Sequence, residues 1–279
     1  MRKPQQMNLQ NKGFYSIDYD MTMACNNRCP YCYILDKLDN RLMFNEEVYE
    51  QVIKSVNEFT GNLKVSLLGG DPLLIPEKVK EFTERVKYPV TIYTNLSYPE
   101  RFIDIVKDIN AKFIVSWHDS SKHHWVKHNI LLLRDKIEPL LIISKDNIDL
   151  MYEHSLWLIE NKVNYKIQFV HGDNGIEADI RNPKIKEMYR NNVINQFDTI
   201  DDKVYTPQES IDEDLINIAM NRKVICELAV VRIKYDGRIT ALCNNPVDLG
   251  HIKDGLSFKK TSCSGYGCVC DTFNWKVLL

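Results

Sequence analysis

Between Cys32 and Cys226 the chain has no cysteine, although it carries eight in 279 residues. A gap of that kind excludes a disulfide scaffold, which spreads its cysteines through the loops of a short chain. The thiols fall into two groups, Cys25, Cys29 and Cys32, then Cys226, Cys243, Cys263, Cys268 and Cys270. Long apolar runs are also missing. The longest, "ILLL" and "PLLIIS", fall far short of the roughly 20 residues a membrane-spanning helix needs. The opening stretch, MRKPQQMNLQNKG, lacks the apolar centre of a signal peptide, so the expected location is cytoplasmic. Neither sign of charge is in excess: the formal net charge is −2, without the basic footprint of a nucleic-acid binder. No internal repeat or low-complexity tract is present. What remains, 44% hydrophobic and 27% charged residues, is an ordinary globular composition for one sizeable domain with at most a small appendage.

Short apolar runs alternate with helical patterns up to about residue 195. Strands are expected at 14–19, 63–68, 90–94, 112–117, 139–144 and 165–170. Helices are expected at 45–59, with Asn45 as N-cap, and at 76–87, with Pro76 in the first turn. Further helices are expected at 99–109, 121–135, 147–162 and about 180–195. Six strands separated by helices imply a parallel sheet with right-handed crossovers, whose functional groups gather in the loops after the strands. The first cysteine group follows the first strand, where a site belongs. His123, His124 and His128, in the fourth helix, are expected at the surface.

The pattern changes near 196. Residues 198–214 are acidic and polar, a linker or a loop over the barrel mouth, and 215–224 reads as a short helix. "AVVRIKYDGRITALC" (229–243) reads as a β-hairpin turning at Asp236-Gly237. The expected division is 1–195, 196–224 and 225–279.

"MACNNRCPYCYI" (23–34) spaces its cysteines as C-x3-C-x2-C, with Tyr31 directly before the third. Three thiolates can hold three irons of a 4Fe–4S cube and leave the fourth open, where four-cysteine sites leave none. This signature resembles that of the radical S-adenosylmethionine (radical SAM) superfamily. The resemblance covers about residues 14–195. It implies a partial (βα)6 parallel barrel, a 4Fe–4S cluster on Cys25, Cys29 and Cys32, and SAM chelating the open iron. Tyr31 would lie near the adenine. "GGDP" (69–72) is similar to the family's Gly-Gly-Glu-Pro segment, whose backbone accepts the SAM amino group, with Asp71 replacing the usual Glu. By position at strand ends, Thr94, Asn95, Ser116, Ser144 and Lys145 are candidates to face SAM, and His118 to face substrate. His118, Tyr205 and His171 are candidates for proton or hydrogen transfer.

The second cysteine group, with its hairpin and the "LGHI" that follows, resembles the C-terminal SPASM or shorter "twitch" module. The full module has seven cysteines for two clusters. Five here imply one auxiliary 4Fe–4S cluster held by Cys226, Cys243, Cys263 and one of Cys268 and Cys270. A structural zinc site of four thiolates is the other reading of that spacing. The activity implied is reductive cleavage of SAM to a 5′-deoxyadenosyl radical that takes hydrogen from a peptide or small molecule, with oxidation, dehydrogenation or cross-linking as the outcome. An external one-electron donor such as flavodoxin or ferredoxin is implied as partner. The stretch before Cys25 is too short for a separate peptide-recognition domain, which favours a small substrate or a peptide delivered by another protein. Two other readings stand beside this one. One is a non-catalytic iron–sulfur carrier or zinc-stabilised binding module; the other is an RNA-modifying radical SAM enzyme, against which the near-neutral charge counts.

Overall fold

In the computed structural model the described residues are 14–172, 175–176, 178–179, 181–191, 198–200, 203–205, 223–228, 230–241, 247–256, 258, 261–266 and 277–278. The first two-thirds of the chain is the expected βα series: β1 (Phe14–Thr22), α1 (Glu46–Glu58), β2 (Asn62–Gly69), α2 (Pro76–Arg85), β3 (Val90–Thr94), α3 (Ile103–Asp108), β4 (Lys112–Trp117), α4 (His123–Leu132), β5 (Ile137–Ile143), α5 (Ile148–Glu160) and β6 (Lys166–Phe169). β1 to β6 lie side by side in sequence order, every pair parallel. Then come β7 (His171–Gly172), β8 (Gly175–Ile176), α6 (Pro183–Asn191), β9 (Asp198–Ile200) and β10 (Lys203–Tyr205).

Local chemistry accounts for the helix limits. The Asn45 side chain accepts from Val48 N at 3.3 Å, and Glu46 and Glu47 occupy the first turn of α1, where the helix dipole favours acid. Pro76 opens α2. α3 is shorter than its sequence pattern because Glu100–Phe102 forms a tighter 3₁₀ turn.

The core lies between the helices and the outer face of the sheet. Ile17, Tyr19, Met21, Val65, Leu67, Phe113, Val115, Trp117, Leu141 and Ile143 are buried there at alternate positions of their strands. The intervening residues, Asp18, Asp20, Ser66, Tyr93, Ser116, Leu140, Ile142 and Gln168, therefore line the inward face. At the start of β4 to β6, Glu138 bridges Lys112 and Lys166 at 2.5 and 2.6 Å, tying the first residues of three strands together.

The C-terminal part contributes β11 (Lys223–Leu228), β12 (Val230–Ile233), β13 (Arg238–Ala241), β14 (Val247–His251), β15 (Thr261–Tyr266) and β16 (Val277–Leu278). The expected hairpin is β12–β13. Gly237 N bonds Lys234 O at 2.8 Å, and Gly237 sits at φ +86°, the left-handed residue that closes such a loop. The hairpin is continuous with the barrel: β12 pairs in parallel with the outer edge of β1, giving the order β14-β13-β12-β1-β2-β3-β4-β5-β6. β11 pairs with β15 and β16 in a separate three-stranded sheet. Of the helix expected at 215–224, residues 215–222 lie outside the described residues and 223–224 begin β11. No helix among the described residues is long and apolar enough to cross a membrane.

Candidate metal centre

The cysteine loop is held where it leaves β1. Gly70 N donates to Thr22 O and Asp71 N to Ala24 O, both at 2.8 Å, so the segment after β2 continues the ladder onto the loop. This approach is possible only without side chains. A Cβ on Gly69 would lie 2.0 Å from Thr22 O, and one on Gly70 1.9 Å from Ala24 O. Gly69 also adopts φ +123°. The glycine pair of "GGDP" is therefore required by the seat of the cysteine loop itself. The loop closes back on its own start through Met23 N to Leu42 O and Asp39 N to Met23 O, both 3.0 Å.

Asp71 is the buried hub of this region. It is fully buried and caps the Pro72–Leu74 turn through Leu73 N at 3.0 Å. It accepts from Thr94 Oγ1 at 2.9 and 3.0 Å and from Asn95 N at 2.7 Å. Burial pushes its carboxyl up to about 6, against these hydrogen bonds, which pull it down. Its side chain is thus structural: Asp71 joins the ends of β2 and β3 beneath the loop. Thr94 and Asn95 are committed to the same network. Asn95 Nδ2 donates to Asn26 Oδ1 at 2.7 Å and lies 3.8 Å from Cys25 Sγ.

Cys25, Cys29 and Cys32 are free thiols. Cys25 Sγ accepts from Asn27 N at 3.4 Å, and Cys29 Sγ lies 3.1 Å from Ser120 Oγ on the loop after β4. Burial, with Asp71 beside it, pushes the Cys25 thiol up to about 12; burial raises Cys29 to about 11. Both are protonated at neutral pH without a cation, so loading metal releases protons. Among the described residues no group of three His, Cys, Asp or Glu side chains converges on one point for a single metal ion. Three thiols on one loop, with polar groups at hydrogen-bond distance of two of the sulfurs, are a donor set that a cluster spreading its ligands over several irons would take.

Tyr31 of the cysteine loop meets His118 at the end of β4. Tyr31 OH donates to Asp119 Oδ1 at 3.0 Å and lies 3.3 Å from His118 Nδ1, with the rings 5.8 Å apart. Burial lowers His118 to about 4, so its imidazole is neutral. The Tyr31 ring packs on an inward apolar wall of Leu140, Ile142 and Val170. Ser116 is half-buried on the inward face, Ser144 is buried with its N–H bonded to Asn147 Oδ1 at 2.8 Å, and Lys145 is exposed. His124 and His128 are exposed as expected. His123 departs from expectation. It is half-buried, because its Nδ1 accepts from Trp117 Nε1 at 3.0 Å and lies 3.2 Å from His154 Nε2.

The second group is described through its backbone alone. In the β11–β15 ladder Cys226 stands directly opposite Cys263. Cys243, Cys268 and Cys270 lie outside the described residues. His171 and Tyr205 lie in the short strands β7 and β10. Sequence reasoning missed Asn26, Asn27, Ser120, Asp20 and Arg232. An asparagine pair inside the cysteine triplet was the available signal for the first two.

Known proteins share this mostly parallel βα architecture. The family model described as "Radical SAM superfamily" matches residues 19–138. Among solved structures, native anSMEcpe with bound AdoMet and Kp18Cys peptide matches with a TM-score of 0.60 at 17% identity, over 86% of this chain and 78% of that one. SuiB of Streptococcus suis, bound to S-adenosylmethionine, matches with a TM-score of 0.53 at 14% identity, over 86% of this chain and 64% of that one. At these identities the likeness is one of fold. No curated protein matches the chain in sequence.

Proposed function

We propose that the protein is a radical SAM enzyme acting on a peptide or small molecule in the cytoplasm, with an external one-electron donor. Cys25, Cys29 and Cys32 would hold a 4Fe–4S cluster, and SAM would occupy its open corner. When bound and reduced, that pair supplies a 5′-deoxyadenosyl radical able to take hydrogen from an unactivated C–H bond. The observation that carries this reading is the clamp of Gly69, Gly70 and Asp71 on the cysteine loop, which seats three free thiols at the barrel mouth.

The chain's own residues supply placement. Tyr31 offers a ring and a hydroxyl already oriented by Asp119 at the mouth. His118, neutral beside it, is a candidate to face substrate and take part in proton transfer. Tyr205 and His171 remain candidates for the same work. The apolar wall of Leu140, Ile142 and Val170 excludes water from the inward face. Of the second cysteine group, the opposed pair Cys226 and Cys263 supports one shared site, which we assign to an auxiliary 4Fe–4S cluster completed by Cys243 and one of Cys268 and Cys270.

The test is anaerobic reconstitution with iron and sulfide counting, then assay of 5′-deoxyadenosine release from SAM under dithionite. About eight irons per chain is the expected result for two four-iron clusters. About four irons, with abundant zinc, would replace the auxiliary cluster by a zinc site. Absence of SAM cleavage by a fully loaded sample would overturn the reading.

A further inference from the structure

The hairpin that extends the sheet also reaches the cysteine loop. Arg232 lies in β12 level with Asp18 of β1, and its side chain leans two residues along β1 toward the mouth. There Nε donates to Asp20 Oδ2 at 2.9 Å and Nη2 to Asp20 Oδ1 at 2.6 Å, a two-pronged pair on a carboxylate 5% exposed. Nη2 donates also to the hydroxyl of Tyr33 at 2.5 Å, and the guanidinium carbon stands 4.9 Å from the centre of the Tyr33 ring. Tyr33 is the residue after Cys32. It is 68% exposed, so burial in the core does not hold it in place; Arg232 does.

The rest of the loop has other anchors. Ala24 is held at the entry by Asp71 N, Tyr31 reaches Asp119, and Ile34 is buried beyond the last cysteine. Among the described residues, the fastening to the sheet between Tyr31 and Ile34 runs through Tyr33. A planar fork can serve a carboxylate, a hydroxyl and a ring face together, which a lysine ammonium cannot.

We propose that Arg232 is a positioning residue: through Tyr33 it latches the exit of the cysteine loop to β1, so that the C-terminal hairpin sets the seat of Cys32. The consequence for metal rests on the radical SAM reading; the latch itself does not. Arg232→Ala would strand the buried Asp20 carboxylate and disturb the sheet. The informative variants are therefore Tyr33→Ala, Tyr33→Phe and Arg232→Lys.

In the metal-free protein, hydrogen exchange is read at the amides of Cys32 and Leu35, which bond Cys29 O at 3.1 Å and Cys32 O at 3.0 Å. Tyr33→Ala speeds both by about tenfold, Arg232→Lys by less, while Val65 and Ile92 in the sheet keep their wild-type rates. In the reconstituted protein, loss of cluster absorbance to an iron chelator is about fivefold faster in Tyr33→Ala and intermediate in Tyr33→Phe, which keeps the ring under the guanidinium. Unchanged exchange at Cys32 and Leu35 in Tyr33→Ala overturns the latch. Faster exchange with wild-type iron release overturns its reach to the metal. Faster exchange in a protein whose wild type takes up no iron upholds the latch and overturns the radical SAM reading instead.

Discussion

The two sides of the barrel's inward face are built from different forces. Around β1 to β3 the groups are carboxylates, amides and hydroxyls: Asp71, Thr94, Asn95 and Asn26 are linked by hydrogen bonds of 2.7 to 3.0 Å, and Asp20 is paired separately with Arg232 at 2.6 Å. On the β5–β6 side the wall is aliphatic, Leu140, Ile142 and Val170, with Ile114 and the Tyr31 ring against it. Hydrogen bonds fix direction as well as distance, whereas apolar contact is proportional to area and tolerates re-orientation. On the function proposed above, a fixed half suits thiols that would meet a rigid inorganic cluster, and an adaptable half suits an organic ligand that would change during reaction.

If that division is right, substitutions on the two sides separate stability from metal uptake. Gly70→Ala has the largest expected effect. Its Cβ would meet Ala24 O, a backbone atom that cannot rotate away. The expected cost is at least about 3 kcal/mol, with the cysteine loop displaced and iron uptake after reconstitution lost. A variant that loads iron normally would break the link between glycine pair and loop. Next is Asp71→Ala, which removes the acceptor of Leu73 N, Thr94 Oγ1 and Asn95 N. A cost of about 3 kcal/mol in denaturant melts is expected, together with partial loss of iron. On the apolar side, Leu140→Ala costs about 2 kcal/mol and leaves iron content at the wild-type value. Equal iron loss from Leu140→Ala and Asp71→Ala would erase the contrast.

The smallest effect concerns Asp18, on the inward face between Arg232 and Ser66 in the registers of β12 and β2. Burial raises its carboxyl from 3.8 to about 6, with Arg232 and Ser66 pulling the other way. The folded protein therefore keeps this proton after the unfolded chain has lost it. Asp18 erodes stability as pH rises from about 4 to about 6, and the penalty is complete above that. Asp18→Asn should accordingly gain stability on wild type as pH rises from about 4 to 7.5, with most of the gain in hand by about pH 6. A constant difference across that range would show that the carboxyl does not titrate there.

Much of this fold is written in local pattern. The strands at 90–94 and 112–117 coincide with the apolar runs that announce them, and Asn45 caps the helix its position implies. The hairpin turn at Asp236-Gly237 was equally legible, because turn chemistry is local. Its place was not. Parallel pairing of β12 with β1 joins segments more than two hundred residues apart, and nothing in either segment encodes a partner at that distance. The site divides the same way. The cysteine triplet is a spacing and was read at once. Asp71 was read for its backbone and acts through its side chain, although an acid directly before a proline that opens a turn is a recognisable cap. Arg232 and Asp20 could not be paired from sequence, since their meeting depends on the sheet order.

That sheet order has a consequence for synthesis on the ribosome. One flank of β1 is covered by β2 as soon as residue 69 has emerged, but the other waits for residues 230–233. At roughly 5–20 residues per second, the interval is about ten to thirty seconds. Throughout it the nascent barrel presents a bare strand edge, a template for unwanted pairing. A chaperone that shields this edge has its opportunity before translation ends.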